Sequence, residues 1–243
     1  MQKVSVIIPT YNRFQYVLNA IRAVKNQTYS KVSNIEIIVV NDCSTEKDYY
    51  LWDWSKENVK IIHLEQNSKA MFGYACAASV RNAGMKEATG DWIAFCDDDD
   101  MWLPHKLELQ LKNMSETGCK MSCTEGLLGF GVYEEDKKYL KYNNEAHLKT
   151  LHKIFKKAKK FPLVSNGFPK IWTPELLIIH NLVICSSFIM HREIYEMIGN
   201  MKTLKNGEED YDYWLRCLNY GNIVYVEEPC VYYDDGHGNG QNY

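Results

Sequence analysis

The chain has 243 residues, 46% of them hydrophobic, and a net charge of −3 from 28 Lys and Arg against 31 Asp and Glu. That supplies a full core without disulfide or metal staples, and it argues against a nucleic-acid or membrane-surface protein, either of which carries a basic excess. No apolar run approaches the roughly 20 residues that span a bilayer, and Met1-Gln2-Lys3-Val4 leads into a strand pattern with no signal-peptide layout.

Short apolar runs alternate with helical patterns through the first half. Residues 4–8 form a continuous apolar-rich strand ended by Pro9, and residues 35–40 form a second ended by Asn41-Asp42. Residues 59–64 and 92–96 read as two more, the last ended by Asp97. Between them, residues 14–27 and 73–88 carry apolar side chains at helical spacing, with Val17, Leu18, Ile21 and Val24 in one stripe. Strands that are apolar throughout are buried on both faces, so with intervening helices they predict an α/β fold around a mostly parallel sheet. Pro104 suits a first helical turn; residues 106–116 then read as helix and 120–128 as strand. Residues 145–161 set Leu148, Leu151, Phe155 and Ala158 on one face and lysines on the other. A core-facing helix with a solvated lysine face is the commoner object with that pattern, a membrane-lying helix the rarer one. Residues 182–190 predict a strand, 211–219 a helix and 223–226 a last strand, and the Gly-, Asn- and Asp-rich residues 232–243 a mobile tail. The eight cysteines form no CxxC pair, which argues against zinc and for a reducing, cytoplasmic setting.

Polar residues fall repeatedly at the carboxyl ends of the predicted strands, where open α/β sheets bind ligands. They are Thr10-Tyr11-Asn12-Arg13, Asp42, and Asp97-Asp98-Asp99-Asp100. Any one could be a turn or helix cap; three together point to a crevice. Four adjacent carboxylates repel one another, and a divalent cation with oxygen preference, Mn²⁺ or Mg²⁺, relieves that repulsion. A helix N-cap also favours Asp, but needs only one of the four.

The segment from Val4 to Arg13 resembles the opening of glycosyltransferase family 2, and Ile37 to Thr45 resembles that family's Val-Asp-Asp-Gly-Ser-Thr segment. Arg81-Asn82-Ala83-Gly84, Ala88-Thr89-Gly90-Asp91-Trp92, the acidic run with Trp102, Pro104 and Lys106, and Glu209-Asp210 with Arg216 follow in the family's order. The resemblance implies a GT-A fold, a single Rossmann-like domain over residues 1–243 with a donor half (1–112) and an acceptor half (113–243). It implies an inverting transfer of one sugar from a nucleoside diphosphate, with Pro9, Thr10, Tyr11, Arg13 and Asp42 lining the nucleoside pocket. Asp42 would accept from the ring N–H of uracil or thymine, and Arg81 would face the pyrophosphate. Asp97 and Asp99 resemble the DxD pair, with Asp99 on the metal, Asp97 nearer the ribose and Asp98 among the donor-binding residues. Asp210 resembles the catalytic base; Glu208, Glu209 and Asp212 compete for that role, and Asp210 could also be a helix cap. His237 matches a polar residue that closes over the metal. The implied partners are a UDP-sugar and a hydroxyl-bearing acceptor (glycan, protein or small molecule), with no nucleic acid and no transmembrane segment. Asn41 departs from the family's usual Asp, and the Gly-Gly-Phe-Asp-Glu segment is reduced to Gly199-Asn200-Met201. The Gln-x-x-Arg-Trp motif of processive synthases is absent, which favours single addition. No GxGxxG follows the first strand, which argues against a dinucleotide dehydrogenase; a binding module without turnover is the remaining rival.

Overall fold

The computed structural model describes residues 2–28, 35–205 and 207–236. Ten strands form one sheet: β1 (Val4–Thr10), β2 (Ile35–Asn41), β3 (Lys60–His63), β4 (Trp92–Phe95), β5 (Met101–Trp102), β6 (Met121–Gly129), β7 (Leu140–Lys141), β8 (Ile171–Trp172), β9 (Ile189–His191) and β10 (Ile223–Asp234). The order is β3-β2-β1-β4-β9-β6-β10-β5, with β7 beside β6 and β8 beside β10. The longer pairings β1–β2, β1–β4, β2–β3 and β6–β10 are parallel. The remaining ones are antiparallel and short.

The α-helices are α1 (Phe14–Lys25), α2 (Asp48–Leu51), α3 (Ser68–Phe72), α4 (Ala77–Glu87), α5 (Lys106–Thr117), α6 (Leu148–Lys157), α7 (Pro174–Leu177), α8 (Arg192–Ile198) and α9 (Glu209–Cys217). Every residue of β1 is buried, and alternate side chains feed two cores. Ile7, Ile38 and Val40 join Val80 and Met85 of α4 on one face, whereas Val6, Ile8, Ile37 and Val39 meet Val17, Leu18, Ile21 and Val24 of α1 on the other. A strand buried on both faces has no solvent-facing positions to alternate, hence its apolar-rich run, in which the buried Ser5 hydroxyl donates to Glu36. Gly84 lets α4 lie directly on β1, because a Cβ there would come 2.5 Å from Cγ2 of Ile7.

Four predicted elements differ from those observed. The helix expected over 73–88 starts later, as α4 at Ala77, because Gly73 takes a left-handed φ of 77° and caps the separate short helix α3 before it. The helix expected over 145–161 shortens to α6, preceded by a π-helical turn at Tyr142–Ala146. The strand expected over 182–190 shrinks to β9 and runs antiparallel. Ser186 and Ser187 interrupt its apolar run and spend their hydroxyls on Asp100 and on the Ile184 carbonyl, so the chain turns there instead of pairing. The last strand is far longer than 223–226. It passes through a bulge at Pro229 and resumes, so Tyr232, Tyr233 and Asp234 belong to the sheet and not to a mobile tail.

Candidate active site

The loops after β1, β2 and β4 gather at one end of the sheet, as the strand-end polar residues predict. Thr10, fully buried at the end of β1, donates its hydroxyl to Asp98 at 2.7 Å. Asn12 adopts a positive φ of 50°, which Asn tolerates, and its side-chain oxygen accepts from the amides of Thr45 and Glu46. That ties the loop after β1 to the loop after β2. Asn41 holds the second loop in turn, accepting from the Ser44 amide at 2.9 Å and bonding the His63 ring. An amide does both jobs without the charge of the family's usual Asp.

The acidic run resolves into four different environments. Arg13 bridges Asp98 and Asp99, with Nη1 at 3.2 and 2.7 Å from their oxygens. Arg81 of α4 reaches Asp97 at 2.6 Å. Asp100 is buried, accepting from the Ser186 hydroxyl and from the Asp234 amide at 3.0 Å. Asp98 also turns inward, leaving Asp97 and Asp99 as the more accessible pair. Burial, and then mutual repulsion within the run, hold Asp99 and Asp100 above the usual carboxylate range. Burial raises Asp98 as well, against the pull of Arg13.

Asp210 arrives from the first turn of α9. Its carboxylate accepts from the amide of Tyr211 at 2.6 Å and lies near enough to Arg81 and Asp97 for both charges to act on it. Burial pushes its pKa up to about 6 despite Arg81. Beside it, Glu209 is buried with one oxygen lacking a partner among the described residues. Asp212 is committed to Lys202 and Arg216, both at 2.8 Å.

The structure thus joins Thr10, Arg13, Asp98 and Asp99 in one group and Arg81, Asp97 and Asp210 in an adjoining one. Pro9 is a β1 core residue opposite Val40, and Tyr11 lies half-buried in the bend after it. Asp42 adjoins the first group through the backbone, its amide donating to the Thr10 carbonyl at 2.9 Å. It is fully buried and accepts from the Ser68 amide, the Ser68 hydroxyl and the Asn67 side chain, so it fixes the turn that opens α3. Burial raises its pKa. His237 lies outside the described residues. Trp102 and Lys106 of the motif serve the fold. The indole donates to the Ser186 carbonyl, and the buried Lys106 amine bonds Gln110 and sits 3.8 Å from the Trp102 ring centre.

Two positioning residues escaped the sequence reading. Ser186 accepts from the Asp97 amide at 2.8 Å while donating to Asp100, and so clamps the acidic loop from the other half of the chain. Glu125 lies fully buried in β6 and accepts from the amides of Asn143 and Asn144 and from the Tyr225 hydroxyl, anchoring the turn at Tyr142–Ala146. A polar residue inside an apolar run was the available signal for each. Ser186→Ala is expected to destabilise the fold by about 1–3 kcal/mol, the usual cost of leaving buried polar partners unmatched. Urea denaturation checks this, and a change below about 0.5 kcal/mol would remove Ser186 from that role.

The donor set fits a divalent cation. It is all oxygen, and among the described residues Arg13 and Arg81 are the cations paired with its crowded carboxylates. Among the described residues no three His, Cys, Asp or Glu side chains form a closed cage. One or two carboxylates completed by substrate phosphates and water is the arrangement Mg²⁺ commonly takes.

A β1–β2–β4 parallel sheet bearing an acidic loop, joined to a mixed second half, is the GT-A fold. The model for the family described as "Glycosyl transferase family 2" matches residues 5–174, and the chain belongs to that family. It is 36% identical over 229 residues to the uncharacterized glycosyltransferase YwdF of Bacillus subtilis, covering 94% of this chain and 72% of that protein. Among solved structures, S. aureus TarS 1–349 in complex with UDP-GlcNAc superposes with a TM-score of 0.66 at 19% identity, over 99% of this chain and 61% of that one. The mannosyltransferase PcManGT from Pyrobaculum calidifontis, in complex with GDP-Man and Mn²⁺, gives 0.62 at 17% identity, over 100% and 59%. The chain spans only about a fifth to a quarter of the length of the Rickettsia glycosyltransferases that it also matches. No helix among the described residues is long and apolar enough to cross a membrane.

Proposed function

We propose that this chain is a metal-dependent, inverting glycosyltransferase that moves one sugar from a UDP-sugar to an acceptor hydroxyl. The carrying observation is the meeting of the acidic loop with Arg81 and Asp210 at one end of the sheet. Asp99 would hold Mn²⁺ or Mg²⁺, with Asp97 beside the donor. A bound cation supplies Lewis-acid neutralisation of the diphosphate charge. Arg81 reinforces that neutralisation from α4 and orients the pyrophosphate. Arg13 keeps Asp98 and Asp99 in place from the N-cap of α1. Asp210 takes the acceptor proton as the new bond forms. The fold shared with the UDP-GlcNAc complex of TarS supports the donor class, and the Mn²⁺ complex of PcManGT supports the cation. Eight free thiols support a reducing compartment, the cytoplasm.

Calorimetric titration with UDP, CDP and GDP in Mn²⁺ tests the donor reading. With Asp42 as the acceptor for the ring N–H, UDP is expected to bind at least about tenfold more tightly than CDP, because cytosine N3 accepts where uracil N3 donates and a mismatched contact costs about 1–3 kcal/mol. Tighter binding of GDP than UDP would move the donor assignment to a purine nucleotide.

A further inference from the structure

The net charge of −3 conceals a segregation. Residues 146–174 hold seven of the chain's 28 basic side chains and none of its 31 acidic ones. Six of the seven, Lys149, Lys153, Lys156, Lys157, Lys159 and Lys160, are exposed on or just beyond α6. None of the six takes part in an ion pair among the described residues, whereas Lys3, Lys25, Lys60, Lys120 and Lys202 do elsewhere. The apolar side of α6 is already spent, since Leu151 and Phe155 are 3% and 0% exposed in the core. The lysines therefore cannot turn away from solvent. Favourable contact with the helix dipole accounts for Lys156 and Lys157 in the last turn, but not for Lys149 in the first turn or Lys153 in the middle.

We infer that this lysine face docks the protein on an anionic phospholipid surface. Lys149, Lys153 and Lys156 follow an i, i+4, i+7 spacing and form one row about 10 Å long at 1.5 Å per residue, which suits a flat charged surface. All seven basic residues are lysine and none is arginine. Lysine is a point charge suited to diffuse attraction by headgroups, whereas nucleic-acid readout favours the bidentate fork of arginine. Phe161, a half-buried ring beside this face, is covered by His152 and by the Lys156 amine.

The placement has a consequence for the site. The α6 helix begins beside the turn carrying Tyr142, whose ring packs on His147 and on Tyr233 of β10. Tyr233 precedes Asp234, whose amide holds Asp100. The lysine helix is thus joined through Tyr142 and Tyr233 to the strand that holds Asp100.

Vesicle co-sedimentation of the 243-residue chain tests the docking without donor or acceptor, so its outcome is separate from that of the transferase reading. The chain is expected to sediment with vesicles containing about one-third phosphatidylglycerol, not with phosphatidylcholine alone, and to be released as salt shortens the screening length. Replacing Lys149, Lys153, Lys156 and Lys157 by Gln, a good helix former, is expected to lower partitioning at least about a hundredfold, roughly fivefold per lysine. Unchanged circular dichroism and UDP affinity would show that the variant is folded. Equal sedimentation with both vesicle types, no sedimentation with either, unchanged partitioning of the variant, or competition by RNA that outweighs anionic lipid would each overturn the inference.

Discussion

Asp210→Asn is expected to lower turnover by about 10²–10⁴-fold while donor affinity stays near that of the wild type. The acceptor hydroxyl is a poor nucleophile until a carboxylate takes its proton, and Asn keeps the shape of Asp without its basicity. The side-chain oxygen that accepts from the Tyr211 amide also survives in Asn, so the start of α9 stays intact. The pH profile gives a second readout. Asp210 must be ionised to act as base, and burial holds its pKa up at about 6. Wild-type kcat/KM should therefore fall as pH drops through about 6, and the variant should lose that limb. Near-normal turnover in Asp210→Asn would pass the role to Glu209, which is buried beside it with an unpartnered oxygen. Asp212 is the poorer substitute, because Lys202 and Arg216 hold its carboxylate below the usual range.

Asp99→Ala is expected to reduce UDP affinity in Mn²⁺ by about a hundredfold or more, to the value that the wild type shows in EDTA. The fold should survive, since Arg13 keeps Asp98 as its partner. Without metal the variant should be no less stable than the wild type at neutral pH. The native state raises the pKa of Asp99 through burial and the charges of Asp98 and Asp97. A carboxyl raised in the native state favours folding at low pH, and that contribution is lost as pH rises through its native pKa. Removing it should therefore relieve the neutral-pH penalty, and thermal unfolding in EDTA reads the effect. Identical UDP affinity with and without EDTA in the wild type would remove the cation from Asp99.

Much of the donor half was legible in the sequence because its signals are local. An apolar-rich run followed by Thr10, Asp42 or Asp97 marks a doubly buried strand and its loop without knowledge of the neighbours. Arg81 and Gly84 were legible as a motif, although only the structure shows that one reaches Asp97 and the other lets α4 lie on Ile7. What the sequence hid depends on partners far along the chain. Ser186 looks like a flaw in a strand until Asp97 and Asp100 are placed against it. Pro229 looks like the end of a strand, yet β10 crosses it as a bulge and carries Asp234 to Asp100. Asp42 reads as an open acceptor, and only the structure shows that Ser68 and Asn67, in a turn some 25 residues on, donate three hydrogen bonds to its carboxylate. The lysine face of α6 was visible from the start, and what the sequence left open is that none of Lys149, Lys153, Lys156, Lys157, Lys159 and Lys160 finds an acidic partner among the described residues.

Release of nucleoside diphosphate from a panel of UDP-sugars in Mn²⁺, with no acceptor added, tests most directly whether this strand-end cluster is an active site. Water then stands in for the acceptor hydroxyl, so turnover is read without knowing the acceptor. Slow UDP release from at least one sugar, abolished by EDTA and by Asp99→Ala and strongly reduced by Asp210→Asn, is the expected result. Tight UDP binding with no release from any donor, and none on adding hydroxyl-bearing glycans, would contradict it and leave a nucleotide-binding module on a transferase fold.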